Sequence, residues 1–135
     1  MIQGSCLCGA VRFEVTGALR PVVACHCTQC RKTSGHYVSA TSAKRESVAI
    51  TGAVQWYQSS PKARRGFCGT CGSNLFWDSG GANLSIFAGT LDGDIGVTTV
   101  GHIFCEDKGS YYDIPEGARQ TDGSDPDMTT WVGKT

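Results

Sequence analysis

The sequence predicts an all-β domain stapled by metal, and three observations carry that prediction. Its apolar residues come in short runs bounded by Gly, Ser or charged residues, the spacing of an antiparallel sheet protein. No stretch has the length and 3.6-residue period of a substantial helix, so at most short helical turns are expected. Seven of the eight cysteines fall into three clusters, Cys6-Leu7-Cys8, Cys25-His26-Cys27-Thr28-Gln29-Cys30 and Cys68-Gly69-Thr70-Cys71.

From the N-terminus, Val11 to Val15 alternates apolar residues with Arg12 and Glu14, a strand with one buried face that Gly17 closes. Cys6 and Cys8 precede it; in an extended segment side chains two apart share a face, so both can hold one ion while Leu7 points away. Pro21-Val22-Val23-Ala24 reads as a short buried strand leading into the central cluster. The polar run after Cys27 suits one short helical turn with Thr28 as N-cap, ended by Ser34-Gly35. Further strands are expected at Tyr37 to Ala40, Val48 to Ile50 and Val54 to Tyr57.

Arg64-Arg65-Gly66-Phe67 then leads into Cys68-x-x-Cys71, and Leu75-Phe76-Trp77 leaves on a second strand. This predicts a knuckle at a hairpin tip, with Gly69 and Gly72 supplying unusual backbone angles. Asn83 to Ala88 and Val97 to Phe104 complete the strands, joined through Gly89-Thr90-Leu91-Asp92-Gly93-Asp94. The expected organisation is a zinc-binding domain over 1–116 and a polar tail over 117–135. The tail is expected to be poorly ordered or to lie on the surface, with Trp131 and Val132 as anchors.

The 135-residue length suits one domain. Lys plus Arg and Asp plus Glu number twelve each, which leaves no net field to recruit nucleic acid or an anionic membrane. Two Zn²⁺ ions, one on four and one on three of the seven clustered thiolates, would bring the charge to about −3. There is no signal-peptide pattern and no long apolar run, so a soluble cytoplasmic protein is expected. In a reducing compartment close cysteine pairs are metal ligands more often than disulfides, and one cysteine is left over from the clusters.

The spacings divide into two kinds of site. Cys6, Cys8, Cys68 and Cys71 form a closed set of four thiolates, a structural zinc site that would tie the N-terminal strand to the central hairpin. The rival arrangement has one of these pairs completing the central cluster. Cys25, Cys27 and Cys30 offer only three thiolates, which leaves a coordination position for water or a substrate thiol. Alternatively a fourth protein ligand closes this site: Cys105 first, then His36, His102 or Asp92. His26 faces away if its neighbours face the metal, which suits packing or hydrogen bonding, and Cys105 reads first as a small buried hydrophobe. Arg31-Lys32 and Arg64-Arg65 stand beside cysteine clusters, either as solvated charge or as recognition of a substrate carboxylate. Asp92 has a turn-forming role by default and is the candidate for proton transfer.

The motifs Gly4-Ser5-Cys6-x-Cys8-Gly9-Ala10-Val11, Cys25-His26-Cys27-x-x-Cys30-Arg31-Lys32-x-Ser34-Gly35, Phe67-Cys68-x-x-Cys71-Gly72, Gly89-Thr90-Leu91-Asp92 and His102-Ile103-Phe104 carry a family resemblance. Together they resemble the glutathione-dependent formaldehyde-activating enzymes, a family that includes centromere protein V. The resemblance covers about residues 4 to 115 and departs from the family pattern after Asp107. It implies twisted antiparallel sheets in a β-tent, and two zinc ions, one on Cys6, Cys8, Cys68 and Cys71 and one on Cys25, Cys27 and Cys30. It further implies carbon-sulfur lyase chemistry on a small thiol such as glutathione and an aldehyde such as formaldehyde. Cys25, Cys27, Cys30 and Asp92 are then the expected catalytic set, with Arg31 and Lys32 on the substrate. The competing function is a zinc-stabilised interaction module in which both metals are structural.

Overall fold

The computed structural model describes residues 1–130. Among these residues ten strands form two sheets. The smaller sheet joins β1 (Ile2–Ser5), β2 (Arg12–Val15) and β5 (Val48–Thr51) in the order β1-β2-β5. The larger contains β3 (Val22–Cys25), β4 (Val38–Lys44), β6 (Val54–Ser60), β7 (Ala63–Cys68), β8 (Asn74–Asp78), β9 (Asn83–Phe87) and β10 (Thr99–Ile103). Its order is β10-β3-β4-β9-β8-β7-β6. Helix α1 spans Thr28–Ser34 and α2 is a single turn, Pro126–Thr129.

The all-β expectation holds, and each predicted strand exists. β1 was not expected, because Ile2-Gln3-Gly4-Ser5 has no apolar alternation; it forms by pairing with β2, Gly4 opposite Phe13. One pairing departs from the antiparallel expectation. β10 lies parallel to β3, Ile103 beside Cys25, and the intervening chain supplies the long crossover that a parallel pair requires.

The alternation of side chains along the strands assigns two roles to the larger sheet. One face supplies Ala43, Leu75, Phe76, Leu84 and Ile86 to a core shared with Val11, Phe13 and Val15 around the smaller sheet. The rings of Phe13 and Phe76 meet edge to face with centroids 5.1 Å apart. The opposite face, through Val23, Cys25, Val38, Ala40, Ser42, Ser85, Phe87 and Trp77, lines a cavity of about 750 Å³. One sheet therefore builds both the core and the floor of a cavity, because side-chain direction alternates along the strands, interrupted on β8 where a register shift lets adjacent Leu75 and Phe76 both join the core.

The C-terminal segment lies against β10. His102 N–H donates to Arg119 O at 2.9 Å, Thr121 N–H to His102 O at 3.0 Å and Phe104 N–H to Gly123 O at 2.9 Å. Met128 is buried against Val23 and Ile103, and Arg20 donates to Thr129 O at 2.9 Å. The polar composition concealed this docking, which relies on backbone pairing with a sheet edge and on one methionine. The expected anchors Trp131 and Val132 lie outside the described residues.

Candidate metal centre and active site

The Cys68-x-x-Cys71 knuckle closes the β7–β8 hairpin, with Cys68 N–H on Ser73 O at 3.0 Å and Gly72 N–H on Cys68 O at 2.8 Å. Gly72 has φ +78, as its place in the turn requires, whereas Gly69 has no left-handed backbone; there a Cβ would collide with the side chain of Gln55. The N-terminal loop reaches over, Leu7 N–H donating to Ser73 Oγ at 3.0 Å. This brings Cys6, Cys8, Cys68 and Cys71 into one group whose sulfurs all lie within 4.8 Å of one another. Cys6 and Cys8 sulfurs are 3.6 Å apart, and Cys8 and Cys68 3.8 Å. A tetrahedron with Zn–S bonds of about 2.3 Å has edges of about 3.8 Å, so the donor set fits zinc. Amide and hydroxyl donors favour thiolates here: Val11 N–H lowers Cys6, and the hydroxyl and amide of Ser73 hold Cys71 down to about 5.

The second group is Cys25, Cys27 and Cys30, its sulfurs also mutually within 4.8 Å, with no further His, Cys, Asp or Glu donor among the described residues. All three line the cavity. Cys25 ends β3, Cys27 caps α1 and Cys30 lies one turn along it. The cap is Cys27, not Thr28. Its sulfur accepts from Cys30 N–H at 3.3 Å, the role a serine or aspartate oxygen ordinarily plays, and the helix's positive end favours thiolate there. Donation from Cys25 and then Cys30 holds the Cys27 thiol far down, to about 2, while Cys27 and then Cys30, with burial, push Cys25 up. Gly35, at φ +81, ends the helix as expected.

Of the predicted cations, Arg31 and Lys32 both lie on α1 and neither lines the cavity. Arg65, on β7, does. It is 6 % exposed, and its Nη2 reaches Cys30 Sγ at 3.5 Å and Gln29 Oε1 at 3.4 Å, while Nε and Nη1 are buried without a partner. Arg64 instead stacks on Trp56, 3.9 Å from the ring centroid, and pairs with Asp78. Asp92 is exposed, with its amide on Gln3 O at 2.8 Å beside the smaller sheet, and does not line the cavity. Cys105, His36 and His102 join neither cysteine group.

His26 is fully buried between two ligands of the proposed centre, facing the other side of β3. Its Nδ1 pairs with Tyr112 Oη at 2.7 Å and its Nε2 with His102 Nδ1 at 2.9 Å. Burial and the neighbouring His102, His36 and Lys108 push its pKa down to about 4, so the ring is neutral and ties the cysteine loop to β10 and the C-terminal segment. The wall residues Arg20 and Ser42 carried no readable signal: Arg20 is a charged residue before a proline, and Ser42 one of several small residues on β4.

A family model described as glutathione-dependent formaldehyde-activating enzyme matches residues 1–107. The chain belongs to this family. Its residues 108–135 lie beyond the matched region. Among similar proteins of the family's kind, one of Halomonas elongata, provisionally named a glutathione-dependent formaldehyde-activating enzyme, is 34% identical over 107 residues, covering 70% of this chain and 68% of that protein. An uncharacterized lyase of Schizosaccharomyces pombe is 29% identical over 115 residues, covering 83% and 84% respectively. A crystal structure of a Rhodobacter sphaeroides protein superposes with a TM-score of 0.55 at 27% identity, covering 72% of this chain and 98% of that one. The family's name and a lyase-named relative support a lyase-type enzyme.

Proposed function

We propose that this chain is a zinc-dependent carbon-sulfur lyase that joins a small, glutathione-like thiol to an aldehyde or releases the two from their adduct. The observation that carries the reading is the three-cysteine group opening onto a cavity without a fourth donor among the described residues, whereas the four-cysteine group does not line it. In the synthetic direction a C–S bond forms between the thiol sulfur and the carbonyl carbon, and the thiol proton ends on the former carbonyl oxygen. Zinc held by Cys25, Cys27 and Cys30 would supply stabilisation of a substrate thiolate near neutral pH and polarisation of the carbonyl.

The chain's own residues prepare this site. Cys30 N–H and the start of α1 stabilise charge on Cys27, and Arg65 places a cation against Cys30, offsetting the thiolates in a poorly solvated setting. The tyrosine-histidine network holds the loop of Cys25 and Cys27 from behind. Arg31 and Lys32, outside the cavity, would meet only the part of a thiol that extends beyond it. A proton-transfer role for Asp92 has no support from its position, exposed beside β1 and outside the cavity lining.

Native mass spectrometry with and without glutathione tests the reading. The expected result is two zinc ions per chain and a retained thiol, with the thiol lost in Cys27→Ser together with thiol-and-aldehyde turnover. Full activity in Cys27→Ser would overturn it, and two zinc ions indifferent to every thiol would assign both metals a structural role.

A further inference from the structure

We infer that the cavity beside Cys25, Cys27 and Cys30 accepts a neutral, apolar group of about ring size carried by the thiol or its aldehyde adduct. The inference rests on reading that group as the thiol-binding centre. At about 750 Å³ the cavity is in the range of sites for drug-sized ligands and far exceeds what a one-carbon aldehyde fills. Val23, Val38, Trp77, Phe87, Ile103 and Phe104 form its apolar walls. Phe104 occupies that wall with a left-handed backbone, φ 53, the one described non-glycine residue with positive φ. Residues in such strained conformations cluster at ligand sites.

Charge in the cavity argues against an anionic occupant. Arg20 is 4 % exposed and its three donor nitrogens are engaged by carbonyls of Pro21, Thr129 and Ala40. Arg65 faces Cys30 and Gln29 through Nη2, and its other two nitrogens are buried. Neither guanidinium has a fork open to a carboxylate, and the remaining charged wall residue, Asp107, is acidic. Ser42 Oγ, like Arg65 Nε and Nη1, is buried without a partner, so the accessible wall is left mainly apolar.

The C-terminal segment, beyond the family match, contributes Ser124, Thr129 and Thr130 to the cavity lining. Met128 and the Arg20–Thr129 hydrogen bond pin it there. This chain's own tail therefore sets how large a group fits.

Calorimetry on the zinc-loaded full chain with 2-mercaptoethanol, benzyl mercaptan and benzyl methyl sulfide tests the inference. Benzyl mercaptan is expected to bind at least about ten-fold more tightly than 2-mercaptoethanol, because its ring leaves water. The sulfide, which cannot form a thiolate, is expected to bind through the ring alone. Ser85→Phe, filling the cavity from β9, and Thr130→Trp, filling it from the exposed tail, should each remove the ring's advantage. Equal binding of the two thiols with no binding of the sulfide would overturn the inference while leaving the thiol-binding centre standing. Binding of the sulfide with neither thiol gaining from the metal would sustain the apolar site and overturn the thiol reading.

Discussion

Asp78 shows how a single buried side chain can organise its surroundings. Its carboxylate accepts from Arg45 at 2.6 Å and Arg64 at 3.1 Å, and from Gly80 N–H at 2.8 Å. Burial alone would raise its pKa, but the hydrogen bonds from Arg45, Gly80 and Arg64 outweigh it and hold the group down to about 2. A folded-state value below the unfolded one stabilises the fold above pH 3.8, and the contribution disappears as pH falls from there toward about 2. Because both arginines are substantially exposed, Asp78→Asn is expected to cost about 1–2 kcal/mol at pH 7. In urea titrations at descending pH the gap to the unaltered protein should close. Tyr112→Phe removes the partner of His26 Nδ1 and should cost about 1–2 kcal/mol by the same measurement, with both zinc ions retained. These residues escaped sequence reading as a set. Asp78, Arg45 and Arg64 are far apart in the chain, and no periodicity announces an ion pair between strands.

At the scale of elements, local rules worked where the signal was local. β2 was legible from its alternation, and α1 from a polar run closed by Ser34-Gly35. The helix cap was misassigned to Thr28 because sequence rules favour an oxygen, whereas Thr28 is already helical and the extended residue before it, Cys27, offers its sulfur to Cys30 N–H. The C-terminal segment lies on the surface, one of the two alternatives expected, but its pairing with β10 and its Met128 anchor were not read, because a composition poor in apolar residues says nothing about backbone pairing. Met128→Ala empties the contact with Val23 and Ile103 and should destabilise this segment by about 2–3 kcal/mol, the lower part of the range for buried methionine. Limited proteolysis should then cut between residues 117 and 130 well before the sheets unfold.

For the whole molecule, the two cysteine groups should respond differently to loss of metal. The first ties Cys6 and Cys8 of the N-terminal loop to the β7–β8 knuckle, bridging segments that belong to different sheets. Cys8→Ser should therefore lower the midpoint of thermal unfolding strongly and leave about one zinc per chain. Cys27→Ser should also lose one zinc while unfolding closer to the unaltered protein, since β3 and α1 remain held by Cys30 packing on Val38 and Phe87. Zinc counting with a chromogenic chelator, combined with calorimetric melting, checks both. Equal destabilisation by the two variants would count against the division into a structural and an exchangeable centre. No helix among the described residues is long and apolar enough to cross a membrane.

The sequence by itself determined the strands other than β1 and the partition of cysteines, because alternation and chelate spacing act over a few residues and leave their period in the chain. It also carried the family motifs, which lie within the matched region. Only the tertiary structure decided which groups meet at the cavity: Arg65 from β7 and not Arg31 or Lys32, Thr129 from the tail, and nothing from Asp92. Those choices follow from sheet order and from which face of each strand turns toward the cysteines. A parallel β3–β10 pair and a docked C-terminus set both, and neither has a periodicity to be read.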